Sequence, residues 1–315
     1  MEPAPIIPRS RPFLILRSDG IVTRLLAFFL LMSALLWACD YLSRWLGVPW
    51  QPWQATLREL ALIVVLRLSP FVGAYWLLVR VVEARRIDEL AARKLLPHAF
   101  AGFLAGCALM TAAAGLLWAA GGYRIDGTYP AMPWFRALLW IGVLPGVGEE
   151  IVSRGVLYRI VEERFGSWVA LIISALLFGF LHAWNPNATL WSCLAIAIEA
   201  GLLFGIVYTI TRSLYVCMGL HAGWNFLQGP VLGIPVSGID QQGLLIATMT
   251  GPTWLSGGAF GAEASVLTVA LLGAVSVTLM VRAQRRGLIR PPRRRDIRMP
   301  TPATIGDIPT YGTPG

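Results

Sequence analysis

The 315-residue chain is 56% hydrophobic and only 14% charged, with a mean hydropathy of +0.64, which excludes an ordinary soluble domain. Its length suffices for about eight spans of ~20 residues joined by short loops. The formal charge of +9 comes almost wholly from arginine, Lys94 being the one lysine. With no glycine-rich phosphate loop and no aromatic-interleaved basic surface, nucleic acid is not an expected partner.

Taken in order, residues 1–20 are rich in Pro and Arg and form an expected cytoplasmic segment. A first apolar span covers Leu25–Leu42. Leu36-Trp-Ala-Cys39 is a poor lipoprotein cleavage site because of Trp37, so this span reads as an uncleaved anchor. Trp45, Trp50 and Trp53 follow at an interfacial level. The second span, Leu60–Val82, contains Arg67 and Pro70, and a charged connection leads to the third, Ala99–Ala120, whose Ala and Gly content permits close helix packing. After a loop at Gly121–Pro133, spans are expected at Trp134–Tyr158, Ser167–Ala183, Ala188–Ile210 and Ser213–Gln228. Residues 229–262 are Gly-rich and nearly uncharged, readable as a lid, a re-entrant hairpin or a plain loop. An eighth span covers Glu263–Val281, and a basic then irregular tail occupies 282–315. Cys39, Cys107, Cys193 and Cys217 lack paired spacing and read as small hydrophobes.

The expectation is therefore an all-α polytopic membrane protein, one transmembrane domain over 21–281. With both termini in the cytoplasm, 20 of the 26 basic residues fall on the inner side, as the positive-inside rule requires. The arginine tail then serves as a topology determinant and a contact for acidic lipids. The expected location is the inner membrane of a bacterium.

Ionisable groups inside spans cost about 2.5–3.5 kcal/mol each on insertion scales and mark functional sites by default. Three such groups stand out: Glu149-Glu150-Ile-Val-Ser-Arg154, Phe178-Gly-Phe-Leu-His182 and His221-Ala-Gly-Trp-Asn225. On a helix, Glu150 shares a face with Arg154 and His221 shares one with Asn225, whereas Glu149 is rotated roughly 100° from Glu150. Arg154 can thus neutralise Glu150 and leave Glu149 free. Counted from the cytoplasmic ends at ~1.5 Å per residue, Glu149 lies about 15 Å deep, His182 about 22, His221 about 12 and Asn225 about 18. All four can meet at one level. Arg67 and Glu199, also within spans, are expected to form a structural ion pair or else to line the cavity.

The order Glu-Glu-x-x-x-Arg, Phe-x-x-x-His, His-x-x-x-Asn resembles the CPBP (CAAX protease and bacteriocin-processing, or Abi) family of intramembrane proteases, which includes the type II CAAX prenyl endopeptidases. The resemblance spans about residues 134–228, and Thr250–Ser265 also looks like a feature of bacterial members. It implies an intramembrane glutamic protease acting on a membrane-embedded or lipidated peptide or protein. Glu149 would be the base that activates water, with His182; His221 and Asn225 would hold the oxyanion. Glu150, Arg154 and Phe178 would support them. No cofactor is implied.

Three other readings stand beside it. Glu149, His182 and His221 match a two-histidine, one-glutamate zinc set, although no His-Glu-x-x-His pair occurs. A non-catalytic immunity or scaffold protein would keep the helices without needing these side chains. A proton-coupled transporter could use intramembrane Glu, His and Arg, but no internal repeat is apparent.

Overall fold

A computed structural model describes residues 20–293. The expected N-terminal segment, apart from Gly20, and the tail from residue 294 onward lie outside the described residues. Within them, apolar runs of membrane-spanning length become rods. These are α1 (Ile21–Trp45), α2 (Leu57–Val82), α3 (Leu95–Ala119), α4 (134–165), α5 (167–181), α6 (Leu190–Thr211), α7 (214–231) and α8 (Val266–Arg285). Six helices are long and apolar enough to cross a membrane, counting 134–184 as one. That 51-residue rod folds back at Gly166, where φ is +79° and ψ 171°, yielding α4 and α5. A Cβ at Gly166 would lie 2.7 Å from the Arg290 carbonyl and 2.8 Å from Pro292 N, so glycine is required by both the backbone and the crossing chain. The helix α7 is less uniformly apolar because it carries His221, Asn225 and Gln228. The protein is thus an integral, multi-pass membrane protein. Leu, Ile, Val, Phe and Trp side chains are exposed on α1, α3 and α5, surface that lipid covers at no cost.

The all-α expectation holds for the bundle, and one small sheet is added to it. Tyr123–Thr128, after α3, pairs antiparallel with Leu245–Met249 in a two-stranded sheet. Alternating burial on the second strand marks its half-buried face, but four or five such residues inside a Gly-rich run gave no usable period. The sheet ties the 229–262 segment to the end of α3, and the segment turns back over the bundle. Asn185 Nδ2 donates to Ser237 O at 2.9 Å, and Gly238 N to Phe260 O at 2.7 Å. Of the three expected forms, the lid fits best, as a folded cap.

Glycine spacing sets the central packing. Gly102 and Gly106 on α3 face Val216 O and Leu220 O on α7, and Gly219 and Gly223 on α7 face Ala99 O and Phe103 O on α3. A Cβ at any of the four would come within about 2.2 Å of those carbonyls. These reciprocal Gly-x-x-x-Gly faces bring the two backbones into contact. On another side of α7, Gly142 and Gly146 of α4 approach Ala222 O and Met218 O. Helix α7, with His221 between two of its contact glycines, is therefore clamped in depth and rotation.

Candidate active site

Glu149 and Glu150 stand at the end of a short regular stretch of α4, Leu144–Glu150, flanked by π-helical turns at Leu138–Val143 and Ile151–Tyr158. Such turns rearrange backbone bonding and are frequent at functional sites. Pro145 has no N–H to return to Ile141 O one turn back, and that carbonyl accepts Asn225 Nδ2 at 3.2 Å. A third π turn, Ala197–Leu202 in α6, presents Ala200 O and Gly201 O to Arg154 Nη2 at 3.0 and 3.1 Å.

The two glutamates have opposite surroundings. Glu150 is fully buried; its Oε1 accepts from Arg154 Nη1 at 2.8 Å and from His221 Nδ1 at 3.1 Å. Arg154 is also fully buried, its guanidinium 4.6 Å from the Phe178 ring centroid and 5.2 Å from that of Phe204. Glu150 therefore pairs with Arg154 and also orients an imidazole, a contact the helix periodicity could not show. The Glu149 side chain is 40% exposed, yet its Oε2 is buried without a hydrogen-bond partner. That oxygen lies 4.0 Å from His182 Nε2 and 3.9 Å from His221 Nε2.

Both rings are held from behind. His182, in the 3-10 turn that ends α5, donates Nδ1–H to Phe178 O at 2.9 Å, leaving Nε2 facing Glu149. His221 gives Nδ1–H to Glu150. Phe178 packs 5.1 Å from His182 and 6.2 Å from His221, centroid to centroid, so it steadies Arg154 and both imidazoles together. One hydrogen of the Asn225 amide is spent on Ile141 O, and the other is free.

His182, His221 and Asn225 line a narrow pocket that is partly open to the outside. Two further carboxylates line it, Glu199 from α6 and Glu263 from just before α8. The sequence paired Glu199 with Arg67. In the structure Arg67 stacks on Trp50, 3.3 Å from its ring centroid, in a separate cavity with Asp40 between α1 and α2. Among the described residues Glu199 forms no ion pair, and both its carboxyl oxygens are buried without a partner. Equal depth along two helices does not bring their side chains to one side of a bundle, and that pairing is withdrawn. Glu263 accepts from Ser237 N at 2.6 Å and Ser237 Oγ at 3.0 Å, which fixes the cap over the pocket. Its place could have been suspected from a lone acid in an apolar Gly-rich run.

At the end of the bundle where α4 meets α5, Glu83 and Glu163 bridge Arg24 and Arg159 at 2.6–3.3 Å. The first residues after α8 join them, Ser167 N donating to Arg290 O at 2.9 Å. The basic connections that the charge rule places on one side are thus neighbours in space.

No curated protein and no solved structure matches the chain. Among family models, the one described as Rce1-like, "Type II CAAX prenyl endopeptidase Rce1-like", matches residues 130–227. The match covers all three motifs, and it is a family of peptidases: over this segment the chain carries the likeness to CAAX-type membrane proteases that its Glu-Glu-x-x-x-Arg, Phe-x-x-x-His and His-x-x-x-Asn motifs announced.

Proposed function

We propose that the protein is an intramembrane endopeptidase that hydrolyses a membrane-embedded or lipidated peptide with a water activated by Glu149. One observation carries this reading: the unpartnered Glu149 Oε2 flanked at 3.9 and 4.0 Å by two Nε2 atoms whose rings are pinned through Nδ1. A water sitting among these three atoms reaches each at normal hydrogen-bond length, since about 2.8 Å on either side spans a 4 Å gap at near a right angle. Glu149 takes one proton as the water oxygen bonds to the scissile carbonyl carbon. His182, with Nδ1–H committed to Phe178 O, accepts a hydrogen bond at Nε2 from the hydrogen that stays on the attacking oxygen. The free Asn225 N–H faces the oxyanion. His221 also donates from Nε2 when protonated on both nitrogens, a charge lying between Glu149 and Glu150. Collapse then breaks the C–N bond, and Glu149 returns its proton to the leaving nitrogen.

This mechanism is metal-independent. Two imidazoles, each donating its other nitrogen to an oxygen, do follow the habit of metal ligands. However, ligands about 2.1 Å from a tetrahedral zinc lie about 3.4 Å apart, closer than the Glu149–imidazole spacings. Among the described residues no group of three His, Cys, Asp or Glu is placed to hold an ion. Activity that survives chelation in metal-analysed protein supports this part of the proposal, and activity restored only by zinc overturns it.

The protein belongs, on this reading, in the cytoplasmic membrane of a bacterium with both termini inside and its tail on acidic lipids. The decisive experiment compares the membrane proteomes of cells carrying wild-type or Glu149→Gln protein. New peptide termini should appear only with the wild type. Identical termini in both strains, with equal amounts of folded protein, would remove the protease reading.

A further inference from the structure

Glu199 is 1% exposed, lies on α6 and lines the pocket beside His182, His221 and Asn225, yet neither of its oxygens meets a donor. A buried carboxylate left in this condition forfeits solvation with nothing in return, so it either carries a proton or awaits a cation. Among the described residues no cation answers it. Arg154, the one arginine of the motifs, gives its Nη hydrogens to Glu150, Ala200 O and Gly201 O, and its guanidinium stacks on Phe178 and Phe204. Arg67 is held by Trp50 in the other cavity. His182 is pinned toward Phe178 O and Glu149. Glu263, across the same pocket, is held by Ser237 from the cap and adds a second negative group. Apart from Ser237, the remaining lining is apolar: Phe178, Ile196, Ala200, Phe204, Trp224 and Leu272.

An apolar sleeve with two carboxylates in it suits a chain with an aliphatic stem and a cationic head. We infer that Glu199 and Glu263 form a cation subsite that receives a lysine or arginine side chain of the substrate next to the scissile bond. This deepens the protease reading and rests on it. The reacting carbonyl must lie near Glu149, His182 and His221, and the pocket opens from two of these residues. A side chain one or two residues from the cut therefore reaches it. Within a bilayer the head group gains strongly from such pairing, because its alternative is unsolvated charge. Asn225 and His221, which line both regions, would couple occupancy of the subsite to placement of the carbonyl. Peptides carrying Met or Leu at that position would fill the sleeve and leave the acids unpaired, so they are discriminated against.

The test uses binding first, independent of catalysis. Purified full-length protein in nanodiscs of zwitterionic lipid is titrated with n-butylguanidinium, and with the neutral isostere n-butylurea, empty nanodiscs being subtracted. Wild-type and Glu149→Gln proteins should bind the cation and reject the urea. Glu199→Gln should bind at least about tenfold more weakly, and Glu263→Gln should weaken binding as well. Equal binding of the two probes to the wild type, or cation binding that survives Glu199→Gln, overturns the subsite whether or not the protein is a protease. Where Glu199→Gln unfolds, Glu263→Gln and the comparison of probes on the wild type decide the matter. In the proteomic experiment, termini that depend on Glu149 should carry Lys or Arg within two residues of the cut. Glu149-dependent termini without that enrichment reject the cation subsite and leave the protease standing. Absence of Glu149-dependent termini rejects the protease, with the probe titration still deciding the subsite.

Discussion

Glu149 and Glu150 are adjacent in sequence and chemically identical, yet removing their charges should have unequal consequences for the fold. Glu150→Gln keeps a carbonyl oxygen for Arg154 and His221 but deletes the counter-charge of a guanidinium that is fully buried. Leaving one member of a buried pair uncompensated costs about 3–5 kcal/mol. At ~2–4 °C per kcal/mol for a chain of this order of size, the unfolding midpoint should fall by roughly 6–20 °C. Glu149→Gln breaks no hydrogen bond, because Oε2 has none, and the side chain is 40% exposed. Its midpoint should stay within about 2 °C, a shift of under ~0.5 kcal/mol. Thermal unfolding in detergent can be followed with a thiol-reactive dye, since Cys193 and Cys217 are buried and free. Adding Arg154→Met to Glu150→Gln should recover more than half of the loss, because the orphaned charge is gone and an apolar chain still packs on Phe178 and Phe204. Equal losses for the two single variants, or no recovery in the double, would refute the division of labour between the glutamates.

Other outcomes follow from the same geometry. Gly106→Ala places a Cβ about 2.1 Å from Leu220 O and should destabilise by about 1–3 kcal/mol or more, displacing His221. Gly115→Ala on the same helix meets nothing within 4 Å and should stay within about 1 kcal/mol of wild type; equal effects in dye-based unfolding would contradict the α3–α7 contact. Exchanging the charges of Arg67 and Glu199 should give no rescue over the single reversals, and a coupling above ~0.5 kcal/mol in that double-mutant cycle would restore the discarded pair. In the α2–α3 connection, burial raises the Glu89 pKa, but hydrogen bonds from Arg85 and Tyr75 outweigh it and hold the carboxyl below its ordinary 4.5. Its contribution to stability is therefore present above about pH 4.5 and lost as pH falls through the lowered value. Unfolding midpoints taken from pH 7 downward should show this acid-side loss in wild type and less of it in Glu89→Gln; parallel curves would count against it.

Composition and helix period alone determined a great deal. Apolar runs of about 20 residues have few choices in a bilayer but to become helices, since every backbone polar group must be satisfied within the segment. The spans therefore fell close to their expected places, and the 3.6-residue repeat put Arg154 on the face of Glu150 and freed Glu149. The three motifs marked the segment that the family model matches. Contacts between elements were out of reach. That Glu150 also holds His221 depends on α7 being pressed against α4 and α3 by their glycines, a relation between helices roughly 70–120 residues apart. Glu199 and Arg67 looked alike as lone charges in spans, and only the packing order of the helices sent one to the pocket and the other to Trp50. Glu263 and the cap are tertiary too, because a five-residue strand in a Gly-rich run has no hydrophobic period and gains its place only by pairing with a strand more than 100 residues away. Local periodicity fixes which way a side chain points on its own helix; what it meets there is decided by the neighbouring helices.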